Sequence, residues 1–234
     1  MCGYVPGVHD TEDTEQHEPQ LGAAPSEQHA PILAIDTALG TSVALALRDE
    51  VFTASSEDPR AHTEVIGELI AQVFRDASID ARSTRTVAVG VGPGPFTGLR
   101  IGISAAQAFA LATDAQLWGV HSHDAVALEQ FESGSFTSAI RVVQDAKRRE
   151  LFVTEYDGLN THGVPMRAAS SRLLRRELYE PQPGDVWPSR ISAAHLLRVA
   201  LLRKQAWLRH ENPQAIYLRE PDVATSTGVK RVSS

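Results

Sequence analysis

Glycines and hydroxyl side chains that could hold a phosphate are concentrated in the stretch from Val87 to Arg100 and in an earlier Asp-Thr pair. Alternating valines predict a buried strand, a loop rich in glycine and proline follows, and an apolar, alanine-rich run then predicts a buried helix. This order directs free backbone N–H groups and the positive end of a helix dipole to one point. The candidate phosphate or nucleotide residues are Asp36, Thr37, Gly92, Gly94, Thr97 and Gly98.

The glycine loop matches no standard nucleotide fingerprint. No Gly-Lys-Ser/Thr follows it, as a Walker A would require, and Pro95 occupies the position of the third glycine in a dinucleotide motif. The alternative interpretation is a tight turn that lets the helix pack close to a sheet. If Gly94 or Gly98 has a positive φ, replacement by alanine is expected to cost about 1 kcal/mol or more.

Asp36 and Thr37 end the first predicted strand. Asp36 could hold a hydrated Mg²⁺ beside a phosphate, or both side chains could order the turn through their own hydrogen bonds. A complete phosphate clamp would also need a second Asp-Gly-Gly-type turn, and the sequence from 120 to 219 contains none. The sequence therefore favours the turn-ordering interpretation.

The histidines do not predict a metal site. His121 and His123 are two positions apart, a spacing that does not place two ligands on one helix face, so they are interpreted as helix-start residues together with Asp124. His62, alone on a predicted helix, is expected to cap or pack. No catalytic residue and no metal ligand are predicted.

Composition and charge limit the classes of function. The 234 residues are 42% hydrophobic and carry a net charge of −7, and residues 1–30 hold six acidic side chains and no Lys or Arg. The remainder is nearly neutral, which argues against strong autonomous binding to nucleic acid. Cys2 is the only cysteine, and neither a membrane span nor a signal peptide is recognisable, so we expect a cytoplasmic protein.

The predicted elements form two lobes. Residues 1–30 are expected to be a dispensable, disordered acidic extension, 31–120 a first lobe, 121–223 a reduced second lobe whose last helix packs on the first, and 224–234 a loose end. The first lobe holds a β-meander, a helix over 59–77, a strand, a helix over 99–112 and a strand over 116–120. The second holds a helix from 121 to 131, a hairpin over 139–156, an irregular tract over 157–190, a helix over 192–207 and a strand over 215–219.

Five short motifs in this order resemble one protein family. They are Ile-Leu-Ala-Ile-Asp-Thr at 32–37, His-Thr-Glu at 62–64, the glycine loop at 90–102, Asp-Ala-Lys-Arg at 145–148 and Tyr-Leu-Arg at 217–219. Together they are similar to the TsaB family, also called YeaZ. The resemblance implies an α/β protein with the actin-like, sugar-kinase and Hsp70 (ASKHA) fold, a mixed sheet with helices and a reduced second lobe. Arg149 stands where the family usually has glycine, and Pro95 where it usually has serine.

The resemblance implies a role in the threonylcarbamoyl-adenosine modification of tRNA. TsaB proteins are non-catalytic scaffolds that pair with themselves or with TsaD. With TsaD and the ATPase TsaE they support transfer of a threonylcarbamoyl group to the adenosine beside the anticodon of tRNAs reading ANN codons. The implied partners are a TsaD-like protein, a TsaE-like ATPase, tRNA only through the complex, and a second copy of the chain when it is alone.

The implied cofactors and interface follow from the same resemblance. No cofactor is required, although the complex interface could hold ATP or ADP and Mg²⁺. The expected interface residues are Ile66, Ile70, Phe96, Leu99, Arg100, Ile103, Ala106 and Ala110, with Ala106 or Ala110 facing outward. Asp145 and Arg148, in the hairpin turn, are expected to have a structural or partner-contact role. The alternative function is an autonomous nucleotide-binding enzyme of the actin-like fold, an ATPase or phosphotransferase.

Overall fold

The computed structural model describes residues 30–58 and 62–219. Within them the strands are β1 (Ile32–Asp36), β2 (Thr41–Leu47), β3 (Glu50–Ser56), β4 (Thr86–Gly90), β5 (Gln116–Val120), β6 (Ile140–Asp145), β7 (Glu150–Leu159), β8 (Pro165–Arg167), β9 (Arg172–Arg175) and β10 (Asp185–Val186). The α-helices are α1 (His62–Ala77), α2 (Phe96–Thr113), α3 (Ser122–Glu132) and α4 (Ala193–Gln205). The predicted extension before residue 30, the first turn predicted for α1 at 59–61, and the predicted loose end lie outside the described residues.

The first sheet has the strand order β3-β2-β1-β4-β5. β1, β2 and β3 form the predicted antiparallel meander, and β4 and β5 run parallel to β1. Leu33, Ala34 and Ile35 of β1 are fully buried, which requires cover on both faces of the sheet. Helices α1 and α2 cover one face and contact each other, and α4 packs against β1 and β2 from the other side.

Helices α1 and α2 lie side by side because each has an apolar stripe that faces the sheet. In α1 the stripe is Ile66, Leu69, Val73 and Phe74, at the spacing of an amphipathic helix. The rings of Phe74 and Phe109 stack at 5.7 Å between the two helices. Both helices were predicted, and α2 begins earlier than expected, at Phe96 directly after Pro95.

The second sheet has the order β10-β6-β7-β8, with β9 also pairing with β7. The predicted hairpin is the β6–β7 pair. The expectation that 157–190 is irregular was wrong, because this tract supplies β8, β9 and β10 to the sheet. These strands are two to four residues long, which is too short for a recognisable hydrophobic period. They form because they pair with β6 and β7.

The C-terminal part departs from prediction in one element. Helix α4 forms as expected, with Ser192 as its N-cap. The strand predicted at 215–219 does not form, since this segment has no ladder partner, and the Ile216 N–H donates to the carbonyl of Val91 at 2.8 Å. Among the described residues, no helix is long and apolar enough to cross a membrane.

Candidate functional site

Asp36 is enclosed in the turn between β1 and β2. Its carboxylate accepts hydrogen bonds from the Ala38 N–H at 2.8 Å and from the Ser122 hydroxyl at 2.6 Å, and the residue is 1% exposed. Burial raises the pKa of Asp36 to about 6, and the bond from Ser122 opposes that shift. Both oxygens are therefore already occupied by groups of the chain itself.

Thr37 and His62 hold the same turn from the side of the helices. The Thr37 hydroxyl donates to the Gly98 carbonyl at 2.7 Å, which joins the turn to the first turn of α2. His62 Nδ1 lies 2.7 Å from the Thr41 hydroxyl, and burial lowers the pKa of His62. His62 thus packs and hydrogen-bonds at the start of α1, as the sequence indicated.

The glycines of the loop allow the turn and α2 to touch. A Cβ at Gly94 would lie 2.7 Å from Ala38 Cβ, one at Gly98 2.6 Å from the Thr37 carbonyl oxygen, and one at Gly102 2.1 Å from Thr37 Oγ1. The positive φ considered for Gly94 and Gly98 is not found, and it is Gly92 that has φ 101°. The need for glycine at 94 and 98 therefore comes from close packing, not from left-handed backbone.

The contacts of the glycine loop support the turn-ordering interpretation. Of the candidate phosphate residues, Asp36, Thr37, Gly92, Gly94 and Gly98 are buried against one another, and Thr97 is exposed. A phosphate between the loop and the turn would have to separate contacts that are now at van der Waals distance or closer. The carboxylate of Asp36 is 1% exposed and already accepts two hydrogen bonds, so a cation could reach it only if the surrounding turn opened.

A buried polar network links the two lobes behind this turn. His123 lies between the Thr154 hydroxyl at 2.8 Å and Gln144 Oε1 at 3.0 Å, and Gln144 Nε2 donates to the Ala38 carbonyl at 2.8 Å. Since Gln144 Oε1 can only accept, His123 Nε2 carries the proton. Burial lowers the pKa of His123 to about 4, so a neutral imidazole connects β7, β6 and the first-lobe turn.

His121, Asp124 and Ser171 have the composition of a nucleophilic triad but not its hydrogen bonds. His121 Nε2 is 2.8 Å from the Ser171 hydroxyl, but the distance from Nδ1 to the Asp124 carboxylate is 3.5 Å, and Nδ1 has no hydrogen bond. Asp124 instead accepts from the Tyr156 hydroxyl at 2.8 Å, and burial raises the pKa of Asp124 to about 6. In the described part of the chain, no three His, Cys, Asp or Glu side chains are grouped as metal ligands.

A cleft of about 340 Å³ opens between the lobes beside the first turn of α2. The rings of Phe96 and Tyr217 pack at 4.9 Å, and Arg100 Nε donates to the Tyr217 hydroxyl at 3.1 Å. The opposite wall is the β6–β7 turn, with Lys147 and Arg148. Tyr217, which lies in the segment wrongly predicted as a strand, therefore lines the cleft. The hydrophobic pattern of the sequence does not indicate this position.

The outward side of the α1–α2 pair carries several small or apolar side chains among its polar ones. On α2 the residues that point away from the sheet recur every three or four positions, and Leu111 is 86% exposed. On α1 an open groove runs past Gly67, Ile70 and Ala71. We define the two-helix face as Gly67, Ile70, Ala71, Ile101, Ala105, Ala108 and Leu111.

The predicted interface residues need correction. Leu99 and Ala106 are fully buried, and Ile66, Ile103 and Ala110 are 7–8% exposed, so these five face the chain's own sheet. Neither Ala106 nor Ala110 is outward-facing, because Gly102 contacts Thr37 and fixes the rotation of α2. Ile70, Phe96 and Arg100 remain accessible. Because Gly102 faces Thr37, the helical period places Ala105, Ala108 and Leu111 on the outward side of α2. The sequence analysis missed these residues because this contact was not known.

Comparisons with known proteins agree with this architecture. Residues 56–172, half of the chain, match the family described as TsaD: tRNA N6-adenosine threonylcarbamoyltransferase. The uncharacterized protein Rv3421c of Mycobacterium tuberculosis is 36% identical over 148 residues, 61% of this chain and 67% of that protein. TsaB of Escherichia coli, a tRNA threonylcarbamoyladenosine biosynthesis protein, is 32% identical over 126 residues, 53% of this chain and 54% of that protein.

A solved structure extends the match to the fold. YeaZ from Pseudomonas aeruginosa superposes with a TM-score of 0.69 at 20% identity and covers 81% of this chain and 100% of that one. The strand order and the helix pair define a two-lobed α/β protein of the actin-like class, as predicted. The chain belongs to the TsaB (YeaZ) family.

Proposed function

We propose that this chain is a non-catalytic scaffold subunit in the threonylcarbamoyl-adenosine modification of tRNA. In this proposal it binds a TsaD-like protein, which acts with a TsaE-like ATPase to transfer the threonylcarbamoyl group to the adenosine beside the anticodon of tRNAs that read ANN codons. The chain acts in the cytoplasm and reaches tRNA as part of the complex. Alone, it pairs with a second copy through the same surface.

The observation that carries the proposal is the two-helix face. Leu111 is 86% exposed, and Ile101, Ala105 and Ala108 lie on the same side of α2. Small side chains let another helix pair approach closely, and an apolar patch of this kind on a folded chain is typical of a protein-protein contact. Family membership supports the choice of a TsaD-like protein as the partner that covers it.

The enclosed state of Asp36 supports a scaffold rather than an autonomous phosphotransfer enzyme. Its carboxylate, the residue that would hold Mg²⁺, instead ties the β1–β2 turn to Ser122 of α3. ATP or ADP and Mg²⁺ remain predicted ligands of the interface with the partner, where residues of both proteins would contribute.

Reconstitution with omission of single components tests the proposal. The full chain, a TsaD-like and a TsaE-like protein from the same source, and unmodified tRNA are supplied with the threonylcarbamoyl donor and ATP. Modified adenosine is measured by nucleoside mass spectrometry. We expect no product when this chain is omitted and no ATP hydrolysis by this chain alone.

Two results would contradict the scaffold role. Full modification without this chain would show that it is not a subunit of the system. ATP turnover by the chain alone, abolished by Asp36→Asn, would instead establish the alternative, an autonomous nucleotide-hydrolysing enzyme.

A further inference from the structure

Five cationic side chains lie together at one edge of the second sheet. Three of them form the tip of the β6–β7 turn and two lie at the end of β9 and directly after it. The backbone joins the two segments, since the Arg176 N–H donates to the Arg149 carbonyl at 2.7 Å and Arg175 pairs with Glu150. We define the basic edge as Lys147, Arg148, Arg149, Arg175 and Arg176.

The described carboxylates near the basic edge pair only weakly with its cations. Asp145 lies 3.4 Å from Lys147 and 3.5 Å from Arg176, and Glu177 lies 3.6 Å from Arg175. These are long pairs between side chains that are 44–73% exposed, a setting in which ion pairs contribute little. Glu150 is held by a sixth cation, Arg219. Leaving aside Arg148, which has a further contact of its own, the described residues here are five cations and three carboxylates, which leaves an excess of positive charge.

The backbone of the β6–β7 turn is strained at three consecutive residues. Lys147, Arg148 and Arg149 have φ values of 61°, 53° and 62°, all in the left-handed region. That conformation costs roughly 1 kcal/mol or more for each residue with a Cβ, and glycine would remove the cost. Three consecutive left-handed cations at a loop tip are the kind of backbone outlier that accompanies a binding role.

The shape and chemistry of the basic edge fit a nucleic acid backbone. Arg148 lines the inter-lobe cleft on one side and a second concavity on the other, so the turn stands between two hollows. Four of the five cations are arginines, whose planar guanidinium groups pair with phosphate through two hydrogen bonds. Trp187 is 46% exposed beside Arg176, whose guanidinium carbon is 5.9 Å from the ring centre, and offers a face on which a base can stack.

We propose that the basic edge binds the phosphate backbone of RNA, which in the proposed function is the tRNA substrate of the assembled complex. An acidic protein segment is a less suitable occupant, because the cores of protein interfaces are depleted in charge, whereas the basic edge is charged throughout. The near-neutral body makes the affinity of the isolated chain low. The basic edge therefore acts as one part of a composite RNA surface.

The test compares two variants that lose the same number of positive charges. The triple variant Arg149→Gln, Arg175→Gln, Arg176→Gln removes three cations of the basic edge. The control Arg82→Gln, Arg198→Gln, Arg209→Gln removes three exposed cations elsewhere. Binding of unmodified tRNA is measured by fluorescence anisotropy over a KCl series, for the chain alone at low salt and for its complex with the TsaD-like protein.

We expect the edge variant to weaken tRNA binding about tenfold or more and to lower the slope of log affinity against log salt by about 2–3, as loss of three phosphate contacts predicts. The control should match the parent in affinity and slope. Gel filtration with the TsaD-like protein should show unchanged assembly for both variants. Thermal unfolding checks that all three proteins are folded.

The other possible results of this experiment count against one proposal or the other. Equal tRNA affinity and slope for the edge variant and the parent would overturn it. Loss of assembly with the TsaD-like protein, with no change in RNA binding by the chain alone, would overturn it in favour of a protein contact. If the parent itself fails to assemble, the scaffold function fails, and the isolated chain at low salt still tests the basic edge.

Discussion

Asp36 shows what a single enclosed carboxyl does to the pH dependence of this fold. Its folded-state pKa of about 6 lies above the ordinary value of about 3.9. The folded chain therefore holds the proton more tightly than the unfolded chain does. The stabilising contribution is complete below about pH 4 and is lost as the pH rises towards 6, where the buried group ionises. Asp124 acts in the same direction, and the buried His121 and His123, with lowered pKa values, act in the opposite one.

Asp36→Asn isolates the contribution of this one carboxyl. The amide keeps the shape but cannot ionise, so the variant should gain stability relative to the parent as the pH rises from 4 to 7. The gain in unfolding free energy should be on the order of 2–3 kcal/mol, measured by urea unfolding at each pH. Asp157→Asn, which makes the same chemical change at an exposed position, serves as the control. A constant difference from the parent for Asp36→Asn would show that the carboxyl is not buried in this way.

Arg149 offers a second test at the scale of one residue. Glycine adopts a φ of 62° without the steric cost of a Cβ, so Arg149→Gly should raise the unfolding free energy by about 0.5–1 kcal/mol. Arg149→Gln removes the charge but keeps the Cβ and should leave stability unchanged. Chemical unfolding of the three proteins side by side measures both effects. A destabilised glycine variant would show that the left-handed turn is not strained.

At the scale of elements, the sequence predicted those whose pattern is carried by many residues. The meander, α1 and the β6–β7 hairpin have clear periods and turn residues, α2 is a long apolar run that follows the glycine loop, and all of them form. The strands β8, β9 and β10 were missed because two to four residues carry no period and depend on partners far along the chain. The segment at 215–219 contains apolar residues as a strand would, but it makes a single backbone hydrogen bond to Val91 rather than a ladder. The local hydrophobic pattern of a segment does not show which strands it will pair with.

The candidate site divides in the same way. The glycine loop and Asp36 were identified as one unit, and they do meet in space. Which side of α2 faces outward was not predicted, because an alanine-rich helix has apolar residues on most sides and its rotation is set by one contact, Gly102 on Thr37. The basic edge was also missed, since β9 and the β6–β7 turn are separated by more than twenty residues.

Two glycines in neighbouring helices should respond to alanine in opposite directions. A Cβ at Gly102 would lie 2.1 Å from Thr37 Oγ1, so Gly102→Ala must displace α2 or the turn and should cost about 1–3 kcal/mol. At Gly67 in α1 nothing lies within 4 Å, so Gly67→Ala should stabilise the helix by up to about 1 kcal/mol. Thermal and urea unfolding measure both. Equal effects would mean that α2 does not rest on Thr37.

At the scale of the whole molecule, buried contacts join the two lobes. Gln144 and His123 connect the second sheet to the first-lobe turn through buried hydrogen bonds, and the hydrophobic core runs without a break from β1 to Val186 and α4. The α1–α2 pair lies on the other face of the first sheet and presents the two-helix face outward. In the proposed scaffold role, this outward face is where the partner would dock.

The most direct measurement is the binding of a TsaD-like protein to Ala108→Glu. Ala108 is exposed in the centre of the two-helix face, so the variant should fold as the parent does by circular dichroism. A stable contact there would bury about 1,200–2,000 Å² in total, and an unpaired carboxylate inside it would cost several kcal/mol.

Val51→Glu provides the matched control, since Val51 is also apolar and 50% exposed but lies on β3. Gel filtration and calorimetric titration should show that Ala108→Glu loses both self-association and binding to the TsaD-like protein, while Val51→Glu keeps both. Undiminished binding by folded Ala108→Glu would contradict the account, because the partner would then dock elsewhere on the chain.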